Sequence, residues 1–248
     1  MFIPIGDDNS DRTAWPLVNF TLIALNVLVF VFLQGMGSNE RFTYAFSTVP
    51  QEIATGHDIA RTVPIVDPET GGAVGSLALQ ATPISVYLTL LTSMFMHGSI
   101  MHLLGNMLYL WIFGDNIENL LGRFRYLLFY LVCGLLASLA HVVSTFAFHG
   151  NPLIPSLGAS GAISGVLGAY LLRFPRRRVR VIMFRYISEV PAMIAIGTWF
   201  VFQIVSSLGA LGGQGGVAYG AHIGGFVAGL VLVNVFRIGR QTPRFGAA

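Results

Sequence analysis

An all-α, polytopic membrane protein with six spanning helices is the fold this sequence predicts, and three observations predict it. Of its 248 residues, 54% are hydrophobic and only 10% are charged, where an average soluble domain carries roughly 25% charge. The mean hydropathy is +0.70. A water-soluble globule needs charge to cover its outside, so these values exclude a cytosolic enzyme, a disordered chain and a nucleic-acid module. Second, apolar runs close to the ~20 residues that cross ~30 Å of hydrocarbon recur at about 16–35, 95–114, 126–147, 159–173, 187–208 and 218–236. Third, the 29 glycines exceed the usual share of roughly 7%, as expected of helices packed closely in lipid.

The first run follows Asp7, Asp8 and Asp11 rather than a basic segment, and no small-residue cleavage site follows it. It reads as a retained span, not a signal peptide. A long loop at about 36–94 comes next, with five carboxylates and Pro64, Pro68 and Pro83. Its mixed segment Ile84–Met96 is expected along the membrane interface. The fourth run is short. The loop at 209–217 reads Gly209-Ala-Leu-Gly-Gly-Gln-Gly-Gly216, a composition suited to a mobile lid.

All 14 basic residues are arginines. Arg12, Arg123, Arg125, Arg173, Arg176, Arg177, Arg178, Arg180, Arg185, Arg237, Arg240 and Arg244 fall on one side of the predicted topology, and only Arg41 and Arg61 on the other. By the positive-inside rule both termini are cytoplasmic, as tails at 1–15 and 237–248 flanking a membrane-embedded domain at 16–236. The basic run Arg176–Arg178 is a topology signal facing anionic headgroups, not a nucleic-acid site. Short tails without a transit peptide suggest a bacterial cell membrane. The single Cys133 excludes an internal disulfide and a cysteine-based zinc site.

Polar side chains inside lipid are costly and mark candidate functional sites. His102 and Asn106, four residues apart at the start of the second run, share a helix face. Ser160 opens the fourth run in Gly158-Ala-Ser160-Gly161, and His222 opens the sixth. All three runs enter from the outer side, so the four residues lie within roughly 15 Å of that surface at 1.5 Å per residue. Gly161 with Gly165, and Gly225 with Gly229, are pairs spaced by four that let two helices approach closely. If they pack, His222 comes near Ser160.

A serine hydroxyl needs an adjacent base to act as a nucleophile, and a neutral imidazole supplies one. The resulting oxyanion needs donors, available from the Ser160 N–H at a helix N-terminus and from His102 and Asn106. Every carboxylate lies in a tail, in the long loop or at an inner helix end, which favours a Ser–His dyad over a triad. Taken singly, Ser160 reads as a helix cap and His102 with Asn106 as an interhelical hydrogen-bonding pair. Their shared layer is what points to catalysis. No H-E-x-x-H motif occurs, and no metal is expected.

At these residues the sequence resembles the rhomboid family of intramembrane serine proteases. The matching pieces are His102 with Asn106, Gly158-Ala-Ser160-Gly161, and Ala221-His222 with Gly225 and Gly229, in the family's order; Phe113–Glu118 with Gly122 and Arg123 resembles its connector after the second span. The resemblance implies a six-helix bundle of rhomboid type. It also implies Ser160 as nucleophile, His222 as base, His102 and Asn106 at the oxyanion, no cofactor, and transmembrane protein substrates cleaved within the lipid bilayer. Two positions depart from the family. Leu88-Thr89 stands where many members have Trp-Arg, and Ser164 where some have a Tyr against the base, so the base is expected to be held by glycine packing or a hydroxyl contact. The alternative is a silent member that binds transmembrane clients. A proton-coupled transporter would place its sites near mid-depth, unlike this layer. The sequence specifies no oligomeric state.

Overall fold

Helices dominate the computed structural model, which describes residues 3–66, 72–183, 185–210 and 219–239. The order is β1 (Ile3–Asp7), α1 (Leu17–Leu28, continued by π-helical Val29–Leu33), α2 (Glu40–Ala45), α3 (Pro50–Thr55), β2 (Thr62–Val66), β3 (Ala73–Ala78), α4 (Thr89–Thr92), α5 (Ile100–Leu121), α6 (Arg123–Ala147), α7 (Ser160–Arg173), β4 (Arg178–Met183), β5 (Tyr186–Pro191), α8 (Ala192–Ala210) and α9 (Tyr219–Arg237). Among the described residues, α6 and α9 are long and apolar enough to cross a membrane. The bent pair Val86–Phe95 and Ile100–Leu121, which meet at 79°, makes a third candidate. The expected lid falls largely on residues 211–218, outside the described residues, as do 240–248 of the C-terminal segment.

Several boundaries differ from the sequence reading. The run expected at 187–208 is helical only from Ala192, because Arg178–Pro191 forms an antiparallel hairpin. Its alternation explains this: Val179 and Val181 are buried while Arg178 and Arg180 face out, the period-two pattern of a half-buried strand. The segment read as an N-terminal tail supplies β1, which pairs with β4 and completes a sheet of order β1-β4-β5. Residues 36–94, read as one long loop, carry α2, α3, the β2–β3 hairpin and α4.

The second expected run ends at 114, yet α5 continues to Leu121 with Asp115, Asn116, Glu118 and Asn119 all buried. Buried charge is tolerated only when paired and hydrogen-bonded, and the N-terminal segment supplies the partners. Arg12 pairs with Asp115 at 2.8 Å, and Asn119 accepts from the N–H and hydroxyl of Thr13. The Glu118 carboxylate accepts the backbone N–H groups of Val18 (3.1 Å) and Asn19 (2.7 Å). Helix α1 has no side-chain cap of its own, so Glu118 satisfies orphan donors of its first turn and complements its dipole. Arg177 bonds both Asp11 and Asn116.

At the opposite end of α1, Gln34 fixes the bend. Its amide donates to the His97 carbonyl and accepts the His97 N–H, both at 2.9 Å. This satisfies the two backbone groups that a break between helices leaves without ladder partners. Ser99 then caps α5 by accepting the His102 N–H, which sets the rotation of the helix that carries His102 and Asn106.

Asp7, at the end of β1, accepts the Tyr170 hydroxyl at 2.5 Å and the Asn116 amide at 2.8 Å. Burial pushes its carboxyl up to about 7; the Tyr170 bond opposes this and Asp115 reinforces it. The folded protein therefore holds this proton more tightly than the unfolded chain, whose value is 3.8. The contribution to stability is full below about pH 4, declines as pH rises from about 4 to 7, and is constant above. Thermal unfolding in detergent should show the wild type less stable at pH 8 than at pH 5. Asp7→Asn should show a smaller loss over the same interval. An equal loss in both proteins would rule out this carboxyl as the source.

Candidate active site

Ser160 is the first residue of α7, so the N–H groups of its first turn have no partners within the helix. The approach to it is strapped in place. Ser156 pairs with Thr48 through reciprocal backbone bonds of 2.7 and 3.0 Å, and the Gly158 N–H donates to the Ser93 carbonyl at 2.8 Å. Thr48 in turn donates to the Thr89 carbonyl at 2.9 Å and lies 2.9 Å from the Ser93 hydroxyl. Thr89, of the Leu88-Thr89 pair that departs from the family pattern, thus acts through its backbone in the strap. Gly158 has φ +125°, a conformation open to glycine and strained for other residues.

His222 lies in the first turn of α9. Its Nε2 is 2.8 Å from Ser160 Oγ. What brings α9 this close to α7 is the absence of side chains between them. A Cβ on Gly225 would stand 2.1 Å from the Gly161 carbonyl oxygen, and one on Gly229 1.9 Å from that of Gly165. A Cβ on Gly168 would stand 2.3 Å from the carbonyl oxygen of Phe226. These are backbone atoms, which cannot swing aside.

His102, on α5, lies beside Gly158, two residues before the serine. Its Nδ1 accepts the Gly98 N–H at 3.4 Å, which leaves Nε2 to carry hydrogen. That edge of the ring meets Gly158, where a Cβ would stand 2.8 Å from Nε2 and 3.7 Å from Ser160 Oγ. Asn106 is buried one turn further along and spends one amide N–H on the His102 carbonyl at 3.1 Å. The structure therefore joins Ser160 to His222 directly, sets His102 beside Gly158, and holds Asn106 against its own helix.

Ser164 spends its hydroxyl on its own helix. Its hydroxyl donates to the Ser160 carbonyl at 2.7 Å. The surroundings of His222 are instead Trp199 at 6.1 Å and Tyr219 at 6.5 Å between ring centroids, and a residue the sequence reading missed. Gln203 of α8 places Oε1 2.7 Å from His222 Nδ1, on the far side of the ring from Ser160. Its signal was present: an amide within the apolar stretch Trp199–Val205. Among the described residues no group of three or more His, Cys, Asp or Glu side chains is placed to hold a metal ion.

A serine hydroxyl, a bonded imidazole and a third polar residue thus meet on packed apolar helices. The rhomboid domain model matches residues 85–238, which contain every one of these groups. The chain belongs to the rhomboid family. It is 31% identical over 234 residues to Rhomboid protease GluP of Bacillus subtilis, covering 94% of this chain and 36% of that protein. It is 32% identical over 162 residues to Rhomboid protein 1, mitochondrial, of Saccharomyces cerevisiae, covering 62% and 43%. Against the human Presenilin-associated rhomboid-like protein, mitochondrial, identity is 35% over 146 residues, covering 54% and 38%. The chain spans less than half the length of these relatives.

The mitochondrial names overturn the expectation of a bacterial cell membrane, and with it the cytoplasmic assignment of both termini. That expectation rested on the ends of the chain, and short ends do not encode a compartment.

Gly229→Ala should lower the unfolding temperature in detergent, by the equivalent of about 1–3 kcal/mol for overpacking against atoms that cannot move. Gly105→Ala is the control, since a Cβ there meets nothing within 4 Å. Alanine is also the better helix former, so that variant should be unchanged or slightly more stable. Equal behaviour of the two would mean that α7 and α9 do not depend on backbone contact.

Proposed function

We propose that this chain is a membrane-embedded serine endopeptidase that hydrolyses peptide bonds in or near the transmembrane segments of other proteins. The observation that carries this reading is the 2.8 Å contact between Ser160 Oγ and His222 Nε2, made by residues far apart in the chain. The Ser160 O–H donates to Nε2, and the proton moves to the imidazole as Oγ attacks the substrate carbonyl carbon. Charge that develops on the carbonyl oxygen is met by the free N–H groups at the start of α7, by His102 Nε2–H and by the remaining Asn106 amide N–H. The imidazolium then protonates the leaving amine, and water attacks the acyl-enzyme by the same route in reverse. These steps draw on no cofactor.

In this reading residues 16–236 form one membrane unit. The six apolar helices are its spans, α7 is the short one, and the segment 36–94 lies over one face. The family match supports it, as does the name Rhomboid protease GluP for a relative aligned with most of the chain.

A fluorophosphonate probe should label the wild-type protein in liposomes and fail to label Ser160→Ala or His222→Ala. Co-expression with a panel of single-span proteins should give cleavage that Ser160→Ala abolishes. Equal labelling of wild type and Ser160→Ala would reject Ser160 as the nucleophile. Client binding without cleavage in either would favour the silent alternative.

Asn106→Ala should reduce kcat by about 10²–10³ if its amide meets the oxyanion, with little change in KM. Activity should fall on acidification as His222 becomes imidazolium, which cannot accept the serine proton. A rate flat from pH 8 to pH 5 would exclude that role.

A further inference from the structure

An imidazole that serves as base for a serine must present a bare nitrogen to it, and so must keep its proton on the other nitrogen. Which nitrogen holds the proton is set by the bond the other one makes. At His222 that other bond goes to Gln203. We infer that Gln203 is a positioning residue that holds His222 in the Nδ1–H tautomer, turned so that Nε2 faces Ser160. The inference rests on the reading of His222 as the base of Ser160.

The geometry has three parts. Gln203 Oε1 lies 2.7 Å from Nδ1 while Ser160 Oγ lies 2.8 Å from Nε2, so the ring is held from both edges by two different helices. The amide oxygen can only accept, so Nδ1 must be the nitrogen that donates. Gln203 is itself buried, so water does not compete for that bond. Its place is fixed by the helix that carries it. Trp199, Phe200 and Gln203 project from one face of α8, and Phe200 stacks on Phe226 of α9 with centroids 3.9 Å apart and planes 14° from parallel. That stack sets the spacing of α8 from α9 one turn from His222.

Among the described residues no carboxylate takes this part. The titratable groups that act on His222 are His102 from α5 and His141 from α6, with Tyr219 on its own helix. Helix α7 contributes the Ser160 hydroxyl, and α8 contributes Trp199 and Gln203, neither of which titrates. A neutral acceptor orients the ring as an aspartate would. It gives the imidazolium formed during reaction less stabilisation, because it brings no charge.

The choice of acceptor can therefore be separated from the packing by two variants of similar size. Gln203→Met keeps the volume and removes the acceptor. It should lower kcat about 10–100-fold, the worth of one oriented hydrogen bond, with KM and unfolding temperature little changed. The acidic limb of its pH profile should move to lower pH. Gln203→Glu restores an acceptor and adds charge. It should recover kcat above its limb, and that limb should move to higher pH, because a carboxylate favours the imidazolium. Nitrogen NMR of histidine-labelled protein, assigned with His222→Ala, reads the tautomer without any substrate. It should show Nδ1 protonated and Nε2 bare in the wild type, and a mixture in Gln203→Met.

A Gln203→Met protein with wild-type kcat, limb and tautomer would reduce Gln203 to packing. An Nε2-protonated ring in an active wild type would overturn the positioning alone. An Nδ1-protonated ring in a wild type that cleaves nothing would sink the protease reading and leave the positioning intact.

Discussion

The structure depends on one close approach, that of the α7 backbone to the α9 backbone. Hydrophobic driving force is weak between helices that already sit in an apolar medium, so association must come from tight contact and hydrogen bonding. Gly168, Gly225 and Gly229 have no Cβ where one would strike the facing backbone, and the carbonyl oxygens that Gly225 and Gly229 approach are those of Gly161 and Gly165. A hydroxyl and an imidazole at the same end of these helices can then share a proton. Wider separation would leave each polar group alone in a setting where an unmet hydrogen bond is expensive. Packing and chemistry are here the same constraint.

Two polar assemblies keep that approach in register from either end of the bundle. At one end Gln34 holds the bend at His97, while Thr48, Ser93 and Ser156 strap the chain that leads into Ser160. At the other, Glu118 caps α1, and Arg12 and Arg177 neutralise carboxylates of α5 and the N-terminal segment. Each of these groups bonds to backbone or to an opposite charge, as buried polar groups must. The apolar middle of the bundle specifies little by itself, since hydrocarbon faces pack in many rotations. The polar ends select one.

Much of the site was legible in the sequence because lipid makes polar residues conspicuous. Ser160, His222, His102 and Asn106 stood out for that reason, and the glycine spacing indicated which helices meet. Gln203 was passed over amid Trp199, Phe200 and Phe202, although the same argument from cost applied to it. The hairpin at 178–191 was hidden because its valines and isoleucines extend the hydrophobicity of α8. The alternation of Arg178, Val179, Arg180 and Val181 was the better guide. Buried Asp115 and Glu118 looked like a helix end because their partners come from residues 12–19, a pairing that only the fold reveals. The membrane that houses the chain was not legible at all, since no packing or bonding requirement distinguishes it.

The pairing of β1 with β4 has a consequence for how the molecule is assembled. Ile3 sits opposite Ile182, so this strand waits for a partner that is made far later along the chain. Until then its edge is unsatisfied, and the carboxylates beside it lack the guanidinium of Arg177. Closing so long a loop is slow compared with forming a helix. The sheet is therefore a late clasp that fastens one part of the polypeptide to another made much later, and folding intermediates lack it.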